Sequence, residues 1–253
     1  WNSRMYVVGG YDTVQSSLVY TASINSDGSV GSWTQEAKSL ILPSYYHGMS
    51  IYNGVIYISG GYTNSGIVSG IYVASITASG NVGTWSMPGN LSDTRCYHAM
   101  CAWNGILYVI GGQDSTFTTQ PTVFTISVKA DSSVRESWLT ETNSIPQARS
   151  FPAMSLWNGR LYVTGGFDSG LGQTSVYSAA IAGDGTVGAW TSESNQLPQT
   201  RYSHAMAAWN GRLYVSGGQV SNTVYSASIT TGGNVGVWIQ EANSLPQNLD
   251  NHT

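Results

Sequence analysis

One phrase, written again and again at a fixed interval, constrains this chain more than any other feature. The stretch "RYSHAMAAWNGRLYVSGG" (201–218) has near-copies in "RCYHAMCAWNGILYVIGG" (95–112), "RSFPAMSLWNGRLYVTGG" (149–166) and "SYYHGMSIYNGVIYISGG" (44–61), and the chain opens on the second half of the phrase, "WNSRMYVVGG". The glycine doublets that close it fall at 9–10, 60–61, 111–112, 165–166 and 217–218, a spacing of 51 to 54 residues. A tryptophan recurs in phase at Trp33, Trp85, Trp138, Trp190 and Trp238, each after a small turn such as "TTGGNVGVW". The exits "QEAKSLILP", "ETNSIPQ", "ESNQLPQ" and "EANSLPQ" form a third marker. A period of this size signals a solenoid, a propeller or an array, in which no single unit can bury its own apolar faces.

Each period reads as four strands, A to D. Strand A is "HAMAAW"; "NG", the strongest two-residue hairpin signal, turns it into strand B, "RLYVSGG". A variable loop leads to strand C, "VYSASI", and a glycine turn to strand D around the tryptophan. Strand B is apolar on consecutive positions (Ile106, Leu107, Tyr108, Val109, Ile110), where a sheet with one wet face would alternate. Both faces are therefore covered, as in a propeller blade. The composition agrees: 30 glycines, 16 tyrosines, 9 tryptophans and only 9% charged residues, against a usual quarter or so.

The glycine doublets, the tyrosine of strand B (Tyr6, Tyr57, Tyr108, Tyr162, Tyr214), the strand-D tryptophan and the arginine opening strand A resemble the kelch repeat and, more distantly, the propeller of galactose oxidase. The resemblance spans essentially the whole chain and implies an all-β propeller of five kelch-like, four-stranded blades. We expect one domain over 1–253, with repeats at approximately 1–46, 47–97, 98–151, 152–203 and 204–253. The connection from strand C to the tryptophan is longer than in typical kelch repeats, Tyr20 preceding Trp33 by 13 residues. The first blade holds only strands B to D, so its inner strand A must come from the C-terminus, where His252 aligns with His204, or from another chain. A closed five-bladed ring, a larger ring or fragment, and completion by a partner through strand addition all stay open.

The repeat also organises the chemistry. All four histidines share one position, His47, His98, His204 and His252, with Pro152 in the remaining copy. They begin strand A, nearest the axis, and form a ring at one channel mouth with Arg95, Arg149 and Arg201. Such a ring suits a metal or a titration near pH 6.5, but residues that repeat with the blade read as structural, so no metal or cofactor is expected. The arginine trio lacks the spacing of sialidase boxes, and no unique copper site of the galactose oxidase kind stands out. Cys96 and Cys101, read as lying five residues apart on one strand, would sit about 16 Å apart and cannot bridge. The variable loops after the glycine doublets carry the candidate ligand-binding residues: Tyr11, Asp12, Tyr62, Gln113, Asp114, Phe167, Asp168 and Gln219. Aromatic faces beside short acidic and amide side chains suit a glycan or a protein ligand.

The expected function is a non-catalytic binding module, extracellular or on a cell surface, for a protein or glycan. One alternative is a structural subunit self-associating into an oligomer or filament at the incomplete first blade. A second is the propeller fragment of a copper-oxidase-like or glycosidase-like enzyme. Seven arginines and two lysines are scattered within a net charge of −4, without the basic cluster that nucleic-acid binding needs. No apolar run reaches the roughly 20 residues of a membrane span. No signal peptide opens the chain, which starts mid-phrase as a processed product or fragment would.

Overall fold

The structure, a computed structural model, describes residues 1–129 and 138–249. It is all-β: the described residues contain no helix, and so none long and apolar enough to cross a membrane. Five antiparallel sheets stand in a propeller arrangement. Blade 2 runs from the inside outward through Gly48–Tyr52, Val55–Ser59, Gly70–Ser75 and Ser86–Asn90. Blades 3, 4 and 5 repeat this order from inner strands Ala99–Trp103, Ala153–Trp157 and Ala205–Trp209. Blade 1 holds three described strands, Arg4–Val8, Val19–Ser23 and Thr34–Gln35.

The sequence explains the turns. Asn104 and Gly105 both take positive φ, 46° and 77°, as a type I′ hairpin demands, and the Asn-Gly pairs at 53–54, 158–159 and 210–211 do the same. The glycine doublet does a different job. Its second N–H donates to a carbonyl of the following turn of the repeat: Gly10 to Ser44 at 2.9 Å, Gly61 to Arg95 at 2.7 Å, Gly112 to Arg149 at 2.8 Å, Gly166 to Arg201 at 2.7 Å and Gly218 to Leu249 at 2.8 Å. A side chain would block that approach. A Cβ on Gly165 (φ +55°) would stand 2.3 Å from the Arg201 carbonyl oxygen and 2.8 Å from His204 Cε1. Gly165→Ala is therefore expected to cost about 2 kcal/mol or more in urea denaturation. Gly170→Ala, with a φ of +83° but nothing within 4 Å, should cost only about 1 kcal/mol.

Apolar seams join consecutive blades. Val8, Val19 and Leu40 of blade 1 meet Ile56, Tyr72 and Trp85 of blade 2. Equivalent clusters join blades 2 and 3, 3 and 4, and 4 and 5. Two polar bolts recur. The strand-B tyrosine donates across the seam to a turn carbonyl, Tyr6 to Gly80 at 2.9 Å, Tyr108 to Gly185 at 2.9 Å and Tyr162 to Gly233 at 2.7 Å. The strand-D glutamate accepts from the next blade's valine N–H, Glu36 from Val82 at 3.0 Å, Glu141 from Val187 at 3.1 Å and Glu193 from Val235 at 2.9 Å.

Between blades 5 and 1 this pattern stops. No apolar cluster of the described residues joins them. Trp33 is 47% exposed where Trp85 is 6%, and Val30 is 48% exposed where Val235 is 2%. Gly28 has nothing within 4 Å of a built Cβ, whereas Gly80, Gly185 and Gly233 press on Arg4, Ile106 and Arg160 of the preceding blade. On the opposite wall Tyr214, Val224 and Leu245 are only half-buried. Among the described residues, neither wall of this seam finds a counterpart like those between the other blades. Leu249 reaches the place of Ser44 and Arg95 in the repeat, but His252 and the start of a further strand A lie outside the described residues.

Candidate functional site

The loop face is built on one backbone corner. Two residues after the arginine place of each repeat (Ser44, Arg95, Arg149, Arg201) and one before the histidine place (His47, His98, Pro152, His204) sits a non-glycine residue in left-handed conformation: Tyr46 (φ 57°), Tyr97 (56°), Phe151 (53°) and Ser203 (55°). Bulky residues adopt this region at a cost of about 1–3 kcal/mol each. The corners hold one another: Tyr97 N–H donates to the Tyr46 carbonyl at 2.9 Å, Phe151 to Tyr97 at 2.7 Å and Ser203 to Phe151 at 3.2 Å. This chain of backbone hydrogen bonds runs from blade to blade on the loop side.

The corners place aromatic rings in a continuous arc. Tyr46 lies 4.2 Å from Tyr97, and Tyr97 lies 4.0 Å from Phe151. Tyr45 touches Tyr46 at 4.4 Å, Tyr11 at 5.0 Å and Tyr62 at 5.5 Å. Phe117 extends the arc beyond Tyr62 at 6.2 Å, and Tyr202 links Phe151 to Phe167 at 6.3 and 5.1 Å. The rings are half-buried, except Tyr11 and Phe117, which are exposed. Burial first, then the neighbouring tyrosines, raises the hydroxyl pKa of Tyr45 and Tyr97, so these two hydroxyls are uncharged at neutral pH.

The expected loop residues divide. Tyr11, Tyr62 and Phe167 join the arc. Asp168 accepts from Thr119 at 3.0 Å and Gln147 at 3.5 Å, tying the loop of blade 3 to that of blade 4. Gln219 accepts from Thr200 at 3.0 Å. Asp114 is consumed by its own loop, accepting from the Thr116 N–H at 2.8 Å, the Thr116 hydroxyl at 2.7 Å and Gln120 at 2.6 Å, and the Thr116 hydroxyl holds its carboxyl below the usual range. Gln113 pairs by backbone with Cys96 and Thr119, and Asp12 is exposed at a short hairpin with Val14. Tyr45, Tyr46, Tyr97, Phe117, Phe151 and Tyr202 were outside that expectation; the signal for all but Phe117 is the aromatic content of "YYH", "CYH", "SFP" and "RYSH" at the two positions before the histidine place.

The histidines and arginines part company. His47, His98 and His204 line a central cavity of about 540 Å³ with Met49, Met100 and Met154. His98 Nε2 accepts from Gly48 N–H at 3.1 Å and the Ser59 hydroxyl at 2.9 Å. Burial pushes its pKa down to about 3 and that of His47 to about 4, so neither titrates near 6.5 in the folded chain. Among the described residues no three His, Cys, Asp or Glu side chains stand together as a metal site. Arg95, Arg149 and Arg201 do not reach that cavity. Each is fully buried, its guanidinium over a strand-C ring: Phe124 at 5.1 Å, Tyr177 at 4.6 Å and Tyr225 at 5.0 Å. Arg149 also donates to the Gly165 carbonyl at 2.6 Å and Arg201 to the Gly217 carbonyl. Cys96 lies before the inner strand and Cys101 within it, which corrects their placement on one strand; both are free thiols, pushed by burial up to about 12.

A family model described as the KLHDC2/KLHL20/DRC7 Kelch-repeats domain matches residues 1–166. Kelch-like protein 36 of Rattus norvegicus is 27% identical over 168 residues, 61% of this chain and 26% of that protein. Alpha-scruin of Limulus polyphemus is 30% identical over 133 residues, 50% of this chain and 14% of that one. The chain thus spans about a quarter or less of these relatives' length. A solved structure titled "Structure of YjhT" superimposes with a TM-score of 0.72 at 13% identity, covering 96% of this chain and 84% of that one.

Proposed function

The chain belongs to the kelch-repeat family, and on that premise we propose that it is a binding module that holds a protein ligand on the aromatic arc of its loop face. The observation that carries this reading is the arc itself: nine rings in contact, seated on strained corners and open to solvent at Tyr11 and Phe117. Tyrosine-rich, partly pre-packed surfaces are where binding energy concentrates, because ordering a ring with two torsions costs little entropy. A polar belt through Thr119, Asp168 and Gln147 flanks the arc and suits the hydrogen bonds of a rim. His47, His98, His204, Arg95, Arg149 and Arg201 are engaged in bonds within the fold, and the module is non-catalytic in this reading. An extracellular or cell-surface setting belongs to the same proposal, resting on the sparse charge alone; cell fractionation tests it.

The test is selection of peptides from a display library against the 253-residue chain, followed by affinity measurement on variants. Tyr62→Ala and Phe117→Ala are each expected to weaken selected peptides by about tenfold or more, while Leu139→Ala, exposed on an outer strand, leaves them unchanged. Peptides indifferent to both ring removals would overturn the loop-face reading. Glycan-array binding lost on Tyr62→Ala, with no peptide selected, would replace protein by glycan as the ligand.

A further inference from the structure

We propose that the face opposite the loops binds a linear glycan, whose pyranose rings stack in turn on Trp103 and Trp157. On that face every blade carries an aromatic residue just before its turn into strand B: Trp1, Tyr52, Trp103, Trp157 and Trp209. Packing within the blades does not account for them, since Trp1 is 52%, Trp103 40% and Trp209 67% exposed. The first two rings lie over the turn of the next blade: a Cβ on Gly54 would stand 3.4 Å from the Trp1 indole, and one on Gly105 would stand 3.8 Å from the Tyr52 hydroxyl. A Cβ on Gly159 or Gly211 would meet nothing within 4 Å, so Trp103 and Trp157 leave those turns bare. Each of these two indoles instead walls a cavity that the next blade's turn from strand C to strand D closes on the other side. The cavity of Trp157, about 530 Å³, adds Asn158, Arg160, Thr230 and Thr231, and no acidic residue lines it. The cavity of Trp103, about 260 Å³, adds Asn104 and Asp184. Arg160 Nη1 donates to Ser178 Oγ at 2.9 Å, and that hydroxyl in turn donates to Glu193, which fixes the guanidinium. Arg160 makes no ion pair among the described residues, so its charge is left for a ligand oxygen. An indole wall ringed by amide, hydroxyl and guanidinium groups fits a sugar, whose flat apolar face lies on the ring and whose hydroxyls meet the polar rim. Repetition selects a chain over a single sugar. Like cavities in adjacent seams set the same platform one blade apart, and a ligand that repeats along its own length fills both. This site is separate from the aromatic arc, and neither reading depends on the other.

The test is isothermal titration of the 253-residue chain with linear disaccharides and hexasaccharides of glucose, mannose, galactose and N-acetylglucosamine. At least one hexasaccharide should bind with a Kd of about 1 mM or tighter. It should also bind at least about tenfold more tightly than its own disaccharide, because the second cavity acts through the linkage. Trp157→Ala should weaken that hexasaccharide at least about tenfold, and Trp157→Phe, which keeps a flat apolar ring, should recover most of the loss. Trp103→Ala should bring the hexasaccharide down to the level of the disaccharide. Tyr62→Ala, on the loop face, should change nothing. Thr231→Trp, at an exposed turn position, fills the larger cavity from outside the seam and should abolish binding, which keeps the test decisive should Trp157→Ala fold poorly. Failure of every sugar in the panel to bind would overturn the proposal. So would binding that survives both Trp103→Ala and Thr231→Trp. Binding lost on Tyr62→Ala would also overturn it, by placing the sugar on the loop face.

Discussion

Trp85→Ala is expected to cost about 3–5 kcal/mol, whereas Trp33→Ala, at the same place in the repeat, costs about 1 kcal/mol. The two residues differ in what covers them and not in their local sequence, "GTW" against "GSW". Trp85 is 6% exposed and packs among Ile56, Ile58 and Tyr72 and against Val8 and Leu40 of blade 1, so its loss leaves a cavity that strands on both sides cannot collapse to fill. Trp33 is 47% exposed and faces the open seam, so its removal leaves no void. Urea denaturation followed by far-ultraviolet circular dichroism checks both. Because blades contact only their neighbours, a weakened blade 1–2 seam should unfold at lower denaturant with blade 1 leading. Equal costs for the two substitutions would mean that Trp33 is covered in solution and that the seam is not open.

The same pair of tryptophans marks how far a sequence of this kind can be read. The blades are legible because each must present the same faces to its neighbours, so glycine doublets, Asn-Gly turns and strand-B tyrosines recur at 51 to 54 residues. The open seam is not legible, because Trp33 and Val30 are written like their buried counterparts; exposure depends on a neighbour, which a repeat motif does not encode. The histidine position is visible, and so is its recurrence, but the separation of the arginines from the cavity is not. It follows from the guanidiniums turning outward along their own blades to the rings of Phe124, Tyr177 and Tyr225. At the loop face the sequence points to aromatic, acidic and amide residues alike; Tyr11, Tyr62 and Phe167 join the arc, while Asp114 caps its own turn. The rings that do assemble come mostly from the corner before strand A, where aromatic side chains in three of the four described copies sit at a left-handed φ. That conformation brings Tyr46, Tyr97 and Phe151 together, and residue type alone does not announce it.

Stability is expected to fall as the pH drops from 7 to 5, by roughly 2–4 kcal/mol, through His98 and His47. Their folded pKa values, about 3 and about 4, lie below the ordinary 6.5. In that window the unfolded chain takes up protons at these two positions and the folded chain does not, so the unfolded state binds more protons and gains on the folded one. The contribution is fully present above pH 6.5, declines by up to about 1.4 kcal/mol per pH unit per histidine, and is gone once the pH falls below the folded values. Burial is the main cause at His98, and geometry adds to it: Nε2 accepts from the Gly48 N–H, so a proton there would remove that bond and add a buried charge near Arg95. Urea midpoints at pH 7.0, 6.0 and 5.0 give the slope. His98→Gln keeps a side-chain oxygen acceptor for Gly48 and removes the proton site, so the slope should fall by about half even if the variant is less stable at pH 7. A flat profile would show that His98 and His47 are solvated in the folded chain. An unchanged slope in His98→Gln would place the proton uptake elsewhere and remove His98 from the account of the blade 2–3 contact as a neutral acceptor.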